Sequence, residues 1–250
     1  MSTSLPKTRL FVAEDLGPAS VLTVGGKSAH YLLNVLRMTA GDRLTVFNGR
    51  DGEWLAAIAA AGRMRCELAL EQRMRTQHAE PGPWLLFAPI KKTGVDFIVE
   101  KATELGAAHL WPVLTRRTQS GRVNLERLQA QAIEAAEQCR RLTIPAIAAP
   151  VSLAALPAHW PPDRRLIVLD ERGTAPPLAA VIQDGARRHP TMPVGFLVGP
   201  EGGFTASELD ALTTLPFLSA ASLGPRILRA ETAALAALAC WQAVAGDWGQ

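Results

Sequence analysis

The chain has 250 residues, of which 48% are hydrophobic and 20% are charged, and its formal net charge is +3. This composition excludes an intrinsically disordered chain, because disorder goes with low hydrophobicity and high charge. It also excludes a fibrous protein, since glycine and proline show no regular repeat. No apolar run approaches the roughly 18 residues of a membrane span, and the N-terminus lacks the charged and then apolar order of a signal peptide. We therefore expect a cytoplasmic protein of one or two domains without a membrane partner.

The first part of the chain has the pattern of strands. In residues 63–75 apolar side chains occupy even positions and charged ones odd positions, which is the period of a half-buried strand. Residues 43–58 predict a hairpin that turns at 48–52. A short helix is predicted at about 28–38, and four of its apolar residues are expected on one side: Tyr31, Leu32, Val35 and Leu36. These elements predict a small β-barrel with one helix.

A linker is predicted at residues 77–83, where a polar stretch ends with two prolines around a glycine. After it, apolar strands and helical patterns alternate. The predicted helices include one at about 124–142 and a last one at about 230–245, which is apolar almost all round. Such a helix is normally buried, so we expect it to form a subunit interface. The alternation predicts a parallel sheet with helices on both faces, with one domain at 1–77 and a second at 78–250.

The strongest local motif is VGPEGGFTASE at residues 198–208. An apolar strand runs directly into a turn with three glycines, and Thr205 then caps a helix with Glu208 three residues later. Glycines at such a turn let the backbone approach a ligand closely, although a tight turn without a ligand is the alternative. The spacing is not GxGxxG and no Walker lysine follows, so NAD and ATP are disfavoured.

A second motif, LGPRILRAETAA at residues 223–234, also places a glycine and a polar cluster before a helix. Arg226, Arg229, Glu231 and Thr232 concentrate charge and polarity beside the apolar last helix. The motif is open to two interpretations. The cluster could bind a ligand, or Glu231 and Thr232 could simply cap the helix while the arginines are solvated.

Basic residues flank the predicted helix at 124–142. Arg116, Arg117 and Arg122 precede it, and Arg140 and Arg141 end it. Together with Lys91, Lys92 and the arginines of residues 63–75, they indicate a polyanionic partner; a solvated face is the alternative. The five histidines and the three separated cysteines lack metal-ligand spacing, so we expect no metal and no disulfide framework.

In this order, the motifs resemble the RsmE family of bacterial small-subunit ribosomal RNA methyltransferases. Members of this family methylate N3 of a uridine in 16S rRNA with S-adenosylmethionine. The two glycine-containing motifs resemble the cofactor loops of the family. Three further segments also match: HYLLNVLR at 30–37, KATELG at 101–106 and EAAEQCRRLTIP at 134–145. The resemblance covers nearly the whole chain.

The resemblance implies an α/β fold of the SPOUT class, in which a trefoil-knotted parallel-sheet domain follows a small PUA-like β-barrel that binds RNA. It also implies S-adenosyl-L-methionine as cofactor, 16S rRNA in the 30S ribosomal subunit as substrate, and a homodimer. Two alternatives stay open. One is a SPOUT methyltransferase for another RNA position, such as one in tRNA, and the other is a non-catalytic RNA-binding protein.

The resemblance also predicts the site residues. Arg229 and Glu231 are expected to be catalytic, with Arg229 stabilising negative charge on uracil; the alternative is that Arg229 only pairs with Glu201 or Glu231 and braces the loops. The expected cofactor-binding residues are Leu169, Gly199, Pro200, Glu201, Gly202, Gly203, Leu223, Gly224, Ile227, Leu228 and Thr232. The expected RNA-binding residues are Arg9, His30, Arg37, Lys91, Arg116, Arg117, Gln138 and Arg141.

Overall fold

The structure, a computed structural model, describes residues 6–119, 122–189 and 191–249. The chain divides into two compact units. The first contains the described residues up to Ala79 together with Ala136–Ile144, and the second contains Glu80–Ala135 and the described residues from Pro145 onward. This division differs from the predicted domains in that 136–144 group with the first unit.

The first unit is built on one five-stranded sheet with the order β1-β3-β4-β5-β2. Its neighbouring strands pair antiparallel, except that β1 and β3 are parallel. One face buries a core that includes Leu44, Val46, Ile58 and Leu68. The five strands are β1 (Arg9–Phe11), β2 (Val21–Gly25), β3 (Arg43–Phe47), β4 (Glu53–Ala61) and β5 (Arg65–Arg75).

The hairpin β3–β4 turns where the sequence predicts it. Gly52 has a φ of +85°, and a Cβ at this position would collide with the carbonyl oxygen of Arg75, so glycine is required. The alternation predicted for β5 is confirmed at Cys66, Leu68 and Leu70, which point into the core. Met64 was expected on the same face, but it precedes the strand and is exposed.

The predicted helix at 28–38 is wrong in its geometry. An α-helical turn, α1 (Gly26–His30), continues as a π-helical turn over Tyr31–Val35, in which the Leu36 N–H donates to the carbonyl of Tyr31. A π turn contains an extra residue, so side chains four apart no longer align. Leu32 is therefore fully buried, whereas Tyr31, Val35 and Leu36 are exposed.

The second unit contains a parallel sheet with the strand order β12-β10-β11-β6-β7-β8, and β9 pairs beside β8 on β7. Its central strands are buried, as expected of a sheet with helices on both faces. The strands are β6 (Trp84–Phe87), β7 (His109–Leu114), β8 (Ala146–Ile147), β9 (Val151–Ser152), β10 (Arg165–Leu169), β11 (Val194–Val198) and β12 (Leu218–Ala221). The alternation of strands and helices is thus confirmed.

In the described part of the second unit, six α-helices accompany this sheet. The last of them, α7, buries Ala234, Ala237 and Leu238, and the amide of Gln242 donates to the carbonyl of Leu105 at 2.8 Å. Among the described residues, none of the helices is both long and apolar enough to cross a membrane. The helices are α2 (Lys92–Glu104), α3 (Leu125–Cys139), α4 (Leu156–His159), α5 (Leu178–Arg188), α6 (Ala206–Thr213) and α7 (Ala230–Val244).

Candidate functional site

Three loops meet at one edge of the parallel sheet. Strands β12, β10 and β11 are neighbours and parallel, so the chain segments after Ala221, Leu169 and Val198 leave the sheet side by side. The loops after β10 and β12 are also joined by backbone hydrogen bonds, since the Ser222 N–H donates to the Pro176 carbonyl at 2.8 Å. In open parallel sheets, ligands bind at this carboxyl edge.

The loop after β11 begins with a turn in which the Gly203 N–H donates to the Pro200 carbonyl at 2.8 Å. Gly203 has a φ of +68°, and a Cβ on it would collide with the carboxylate of Glu171. Gly202 has no such constraint, because a Cβ there would meet Arg117 side-chain atoms at an ordinary 3.4 Å. Backbone strain therefore makes Gly203 the residue that must be glycine.

The helix after this turn is capped as the sequence predicts. Thr205 and Glu208 form a complete capping box at the start of α6. Glu208 Oε1 also accepts a hydrogen bond of 2.8 Å from the Arg116 backbone N–H. Burial opposes ionisation of Glu208, but the backbone hydrogen bonds from Thr205 and Arg116 outweigh it and lower its pKa.

Arg117 lies beside the same loop. Its Nη1 atom donates to the carbonyl of Gly202 at 2.6 Å, while the rest of the side chain is exposed. Of the two arginines predicted to bind RNA here, Arg117 thus also contacts the glycine loop through its side chain, and Arg116 contacts α6 through its backbone. Their RNA contacts stay a prediction.

The loop after β10 carries three charged residues that the sequence analysis missed. Asp170 is buried, and its carboxylate accepts hydrogen bonds from the guanidinium and backbone N–H of Arg172, which lower the pKa of Asp170. Glu171 is exposed, and the described residues give its carboxylate no hydrogen bond or ion pair. The sequence could have indicated this charged loop, because acidic residues directly follow the apolar strand in LIVLDER.

The loop after β12 presents an open backbone and an exposed apolar side chain. Gly224 has a φ of +98° with no atom within 4 Å of where its Cβ would be. Ile227 is 84% exposed, whereas Leu223 and Leu228 are half-buried.

Arg229 is the N-cap residue of α7 and its side chain is exposed. Across the residues that the structure describes, Arg229 forms no ion pair, with Glu201 and Glu231 included, so the bracing pair is not observed. The alternative interpretation, in which Glu231 and Thr232 cap the helix, is not observed either, since α7 begins without a side-chain cap.

The predicted RNA-binding residues differ in how exposed their side chains are. His30, Arg37, Lys91 and Gln138 are exposed, and Arg141 is half-buried, with its guanidinium donating to Thr143 Oγ1 at 3.0 Å. No group of three or more His, Cys, Asp or Glu side chains that could hold a metal occurs in the described ranges.

Arg9 is buried, unlike most of the other predicted RNA-binding residues. Its side chain is only 6% exposed, its Nε donates to Glu53 Oε1 at 2.5 Å, and its guanidinium lies 3.6 Å from the centre of the Phe47 ring. Two further donors bind the carbonyls of Ala136 and Arg141. Arg9 therefore joins the sheet of the first unit to the segment 136–144, and its RNA contact stays a prediction.

Comparisons with known proteins identify both parts of the chain. Residues 80–242 match the RNA methyltransferase domain family, and residues 24–71 match the RNA methyltransferase PUA domain. The chain is 33% identical over 237 residues to the ribosomal RNA small subunit methyltransferase E of Rickettsia conorii, covering 92% of this chain and 93% of that protein. It is 32% identical to the protein of the same name from Synechocystis, covering 92% and 76% of the two chains.

Solved structures agree with this assignment. The crystal structure of ribosomal RNA small subunit methyltransferase E from Neisseria gonorrhoeae, bound to S-adenosyl methionine, has a TM-score of 0.82 at 27% identity and covers 96% of this chain and 99% of that one. A putative methyltransferase from Legionella pneumophila with the same cofactor also has a TM-score of 0.82, at 28% identity, and covers 96% and 98%.

These matches confirm the predicted fold class, a SPOUT-type α/β domain with a parallel sheet preceded by a PUA-like domain. The trefoil knot itself stays a prediction of the resemblance. Because both domains occur in the expected order and a named relative is similar over most of both lengths, this chain belongs to the ribosomal RNA small subunit methyltransferase E family.

Proposed function

We propose that this protein transfers a methyl group from S-adenosyl-L-methionine to N3 of a specific uridine in the 16S rRNA of the 30S subunit. The supporting observation is the meeting of three loops at the ends of β10, β11 and β12, in a chain similar to a relative solved with this cofactor. The cofactor supplies an electrophilic methyl group on a sulfonium. We place it against the two loops that follow β11 and β12, at Gly199–Gly203 and Leu223–Leu228; in the second loop Gly224 has no atom within 4 Å of where its Cβ would be.

Further residues at this edge fit the same ligand. Leu169 ends β10 between the two loops, and Thr232 is exposed in the first turn of α7. Ile227 exposes an apolar surface that an adenine ring would cover. Glu171 and Glu201 are exposed carboxylates beside the glycines, where a cationic ligand with ribose hydroxyls would be attracted.

The chemistry requires a cation near the base. N3 of uridine carries a weakly acidic proton, and its removal leaves negative charge shared with O2 and O4. A positioned cation lowers the free energy of the transition state by stabilising that charge. We assign this role to Arg229, which is exposed, unpaired in the described chain and located at the positive end of the α7 dipole. Glu231, half-buried two residues later, is the second catalytic candidate.

The protein is also expected to bind the phosphates of its RNA substrate and to form a homodimer. The exposed side chains of His30, Arg37, Lys91 and Arg116 would contact phosphates. A homodimer would cover the half-exposed apolar residues of α7, such as Leu235 and Trp241. We expect the protein to act in the cytoplasm, where its substrate is assembled.

Nucleoside mass spectrometry of 16S rRNA from cells lacking this protein tests the proposal. The N3-methyluridine should disappear and should return when the purified protein and cofactor are added to 30S particles. Methylation of bulk tRNA instead would favour the alternative substrate. Absence of cofactor binding in calorimetry would favour a non-catalytic RNA-binding protein.

A further inference from the structure

We propose that a cavity in the first unit binds one unpaired nucleotide of the RNA substrate. The cavity has a volume of about 700 Å³, and it shares no residue with the two glycine loops. Its size lies within the range of small-ligand sites. The inference rests on the proposed function, because it takes the ligand to be part of the same RNA.

The floor of the cavity is formed by polar side chains that already form hydrogen bonds with one another. Glu53 is one of the lining residues, and it accepts hydrogen bonds from Arg9 at 2.5 Å and from the hydroxyl of Thr45 at 3.1 Å. Arg75 approaches the other carboxylate oxygen at 3.4 Å. These charged groups form hydrogen bonds with one another, and covering them with apolar side chains would cost free energy. The cavity therefore stays open.

One wall is aromatic. It contains Tyr31, the only tyrosine of the chain, which is 40% exposed, and Leu36, which is 38% exposed. Both residues come from the π-helical turn and its end, and such turns occur often at functional sites. An exposed ring beside a cavity is suited to stacking with a base.

A second part of the lining, the cationic wall, carries positively charged side chains. The cavity is lined by four cationic side chains and only two carboxylates. Of the cations, Lys7 and Arg140 are exposed and form no ion pair in the described chain, so they remain available for a phosphate. The neighbouring amide of Gln138 is also exposed and offers both donors and an acceptor to the edge of a base.

The backbone is strained at one residue that lines the cavity. Three residues other than glycine have a positive φ in the described chain, and one of them, Arg140, lines this cavity. Arg37, at +56°, follows Leu36 directly, and Arg140, at +63°, lies in the cationic wall. Left-handed conformations of this kind persist where the surroundings hold them, and they concentrate at binding sites.

These features together define the ligand. A base would stack on Tyr31 with its edge toward Gln138, and its phosphate would lie between Lys7 and Arg140. A base in a duplex is stacked and paired on both sides, so it could not enter. The site therefore selects a single-stranded or flipped-out nucleotide.

Binding of a labelled, single-stranded 12-nucleotide RNA, measured by fluorescence anisotropy, tests the aromatic wall. Tyr31→Ala should weaken binding by about 5- to 150-fold, the range for loss of one base–aromatic stack, and Tyr31→Phe should restore it. Val35→Ala removes an exposed apolar side chain from the same turn outside the cavity and should bind as the unaltered protein does. Equal affinity of Tyr31→Ala and the unaltered protein would overturn the proposal.

The cationic wall is tested with Arg140→Gly and Lys7→Ala. Glycine relieves the left-handed backbone at position 140, so the melting temperature should be unchanged or higher while RNA affinity falls. Each variant should also make the dependence of log Kd on log salt shallower by about 0.7, because one phosphate contact is lost. An unchanged slope in both variants would contradict the assignment.

Alkylation of cysteines provides a measurement without any substitution. Cys139 lines the cavity, whereas Cys240 lies in α7. The 12-nucleotide RNA should slow alkylation of Cys139 by iodoacetamide and leave Cys240 unaffected, as followed by peptide mass spectrometry. Equal rates at Cys139 with and without RNA would reject the site.

Cofactor binding separates this inference from the proposed function. Tyr31→Ala should bind S-adenosylmethionine in calorimetry with unchanged affinity. If the unaltered protein methylates 30S particles but Tyr31→Ala does so equally well at low substrate concentration, only the nucleotide site is wrong. If the unaltered protein neither binds the cofactor nor methylates RNA, the proposed function itself fails.

Discussion

Glu53 accepts a hydrogen bond of 2.5 Å from Arg9 Nε, and the two side chains are only 4% and 6% exposed. The same guanidinium binds the carbonyls of Ala136 and Arg141, so one buried ion pair connects strands β1 and β4 to the end of α3. Burial lowers the pKa of Arg9, and the hydrogen bond and charge of Glu53 oppose that shift. The pair therefore has a structural function that its sequence positions, 44 residues apart, do not reveal.

Glu53→Gln is expected to destabilise the protein strongly. The substitution leaves the charge of Arg9 buried without a counterion, which costs about 3–5 kcal/mol in comparable cases. Urea unfolding measures the change. Glu71→Gln is the matched control, because Glu71 pairs with Arg43 at a more exposed position and should cost only about 0–1 kcal/mol. A similar loss in both variants would contradict the buried role.

Gly203→Ala is expected to weaken S-adenosylmethionine binding more than Gly202→Ala. A Cβ at Gly203 would be strained by its φ of +68° and would collide with Glu171, whereas one at Gly202 meets only ordinary contacts. The strain amounts to about 1–2 kcal/mol and should appear as a lower melting temperature. Calorimetry measures the affinity of both variants. Equal effects at both glycines would be inconsistent with this geometry.

Arg229→Ala is expected to lower kcat by about 10²- to 10³-fold, the scale for losing one charge-stabilising group. Cofactor affinity should change little, and Arg229→Lys should recover part of the rate. Single-turnover methylation of 30S particles at saturating cofactor measures the effect. Arg226→Ala, in the same loop and equally exposed, is the control. A normal single-turnover rate for Arg229→Ala would end the catalytic assignment.

Stability is expected to fall as the pH decreases from about 7 toward 5, because of His109. Its ring stacks on Trp84 at 4.3 Å, and its Nε2 is buried without a hydrogen-bond partner in the described chain. Burial, and then the charge of Arg164, whose guanidinium lies 4.1 Å from the centre of the Trp84 ring, lower the pKa of His109 below 6.5.

The unfolded chain therefore binds a proton near pH 6.5 that the folded chain does not bind until a lower pH, so stability is lost as the pH falls through this window. His109→Phe keeps the stack and removes the titration, and it should flatten the pH dependence of urea unfolding between pH 7.5 and 5. An unchanged slope in this variant would show that other groups cause the effect. The carboxylate of Asp170, whose pKa is lowered from 3.8, contributes only at more acidic pH.

Patterns among residues close together in the chain were sufficient to predict much of the fold. The period of two in β5, the hairpin at β3–β4 and the capping box of Thr205 and Glu208 follow from residues close together in the chain. The loops after β11 and β12 were also recognisable from their glycine motifs, because each motif directly follows an apolar strand. The short elements β8, β9 and α4 were missed, because two to four residues are too few to show a period.

The sequence by itself determined the types of the long elements and the family, since periodicity, caps and motif order are local properties of the chain. Only the tertiary structure decided which distant groups meet: Arg9 with Glu53, Arg117 with Gly202, and Glu171 with Gly203. A pattern shows which face of an element is apolar but not which element covers it. For that reason the sequence did not reveal that the charge of Arg9 is buried and satisfied by a carboxylate and two carbonyls.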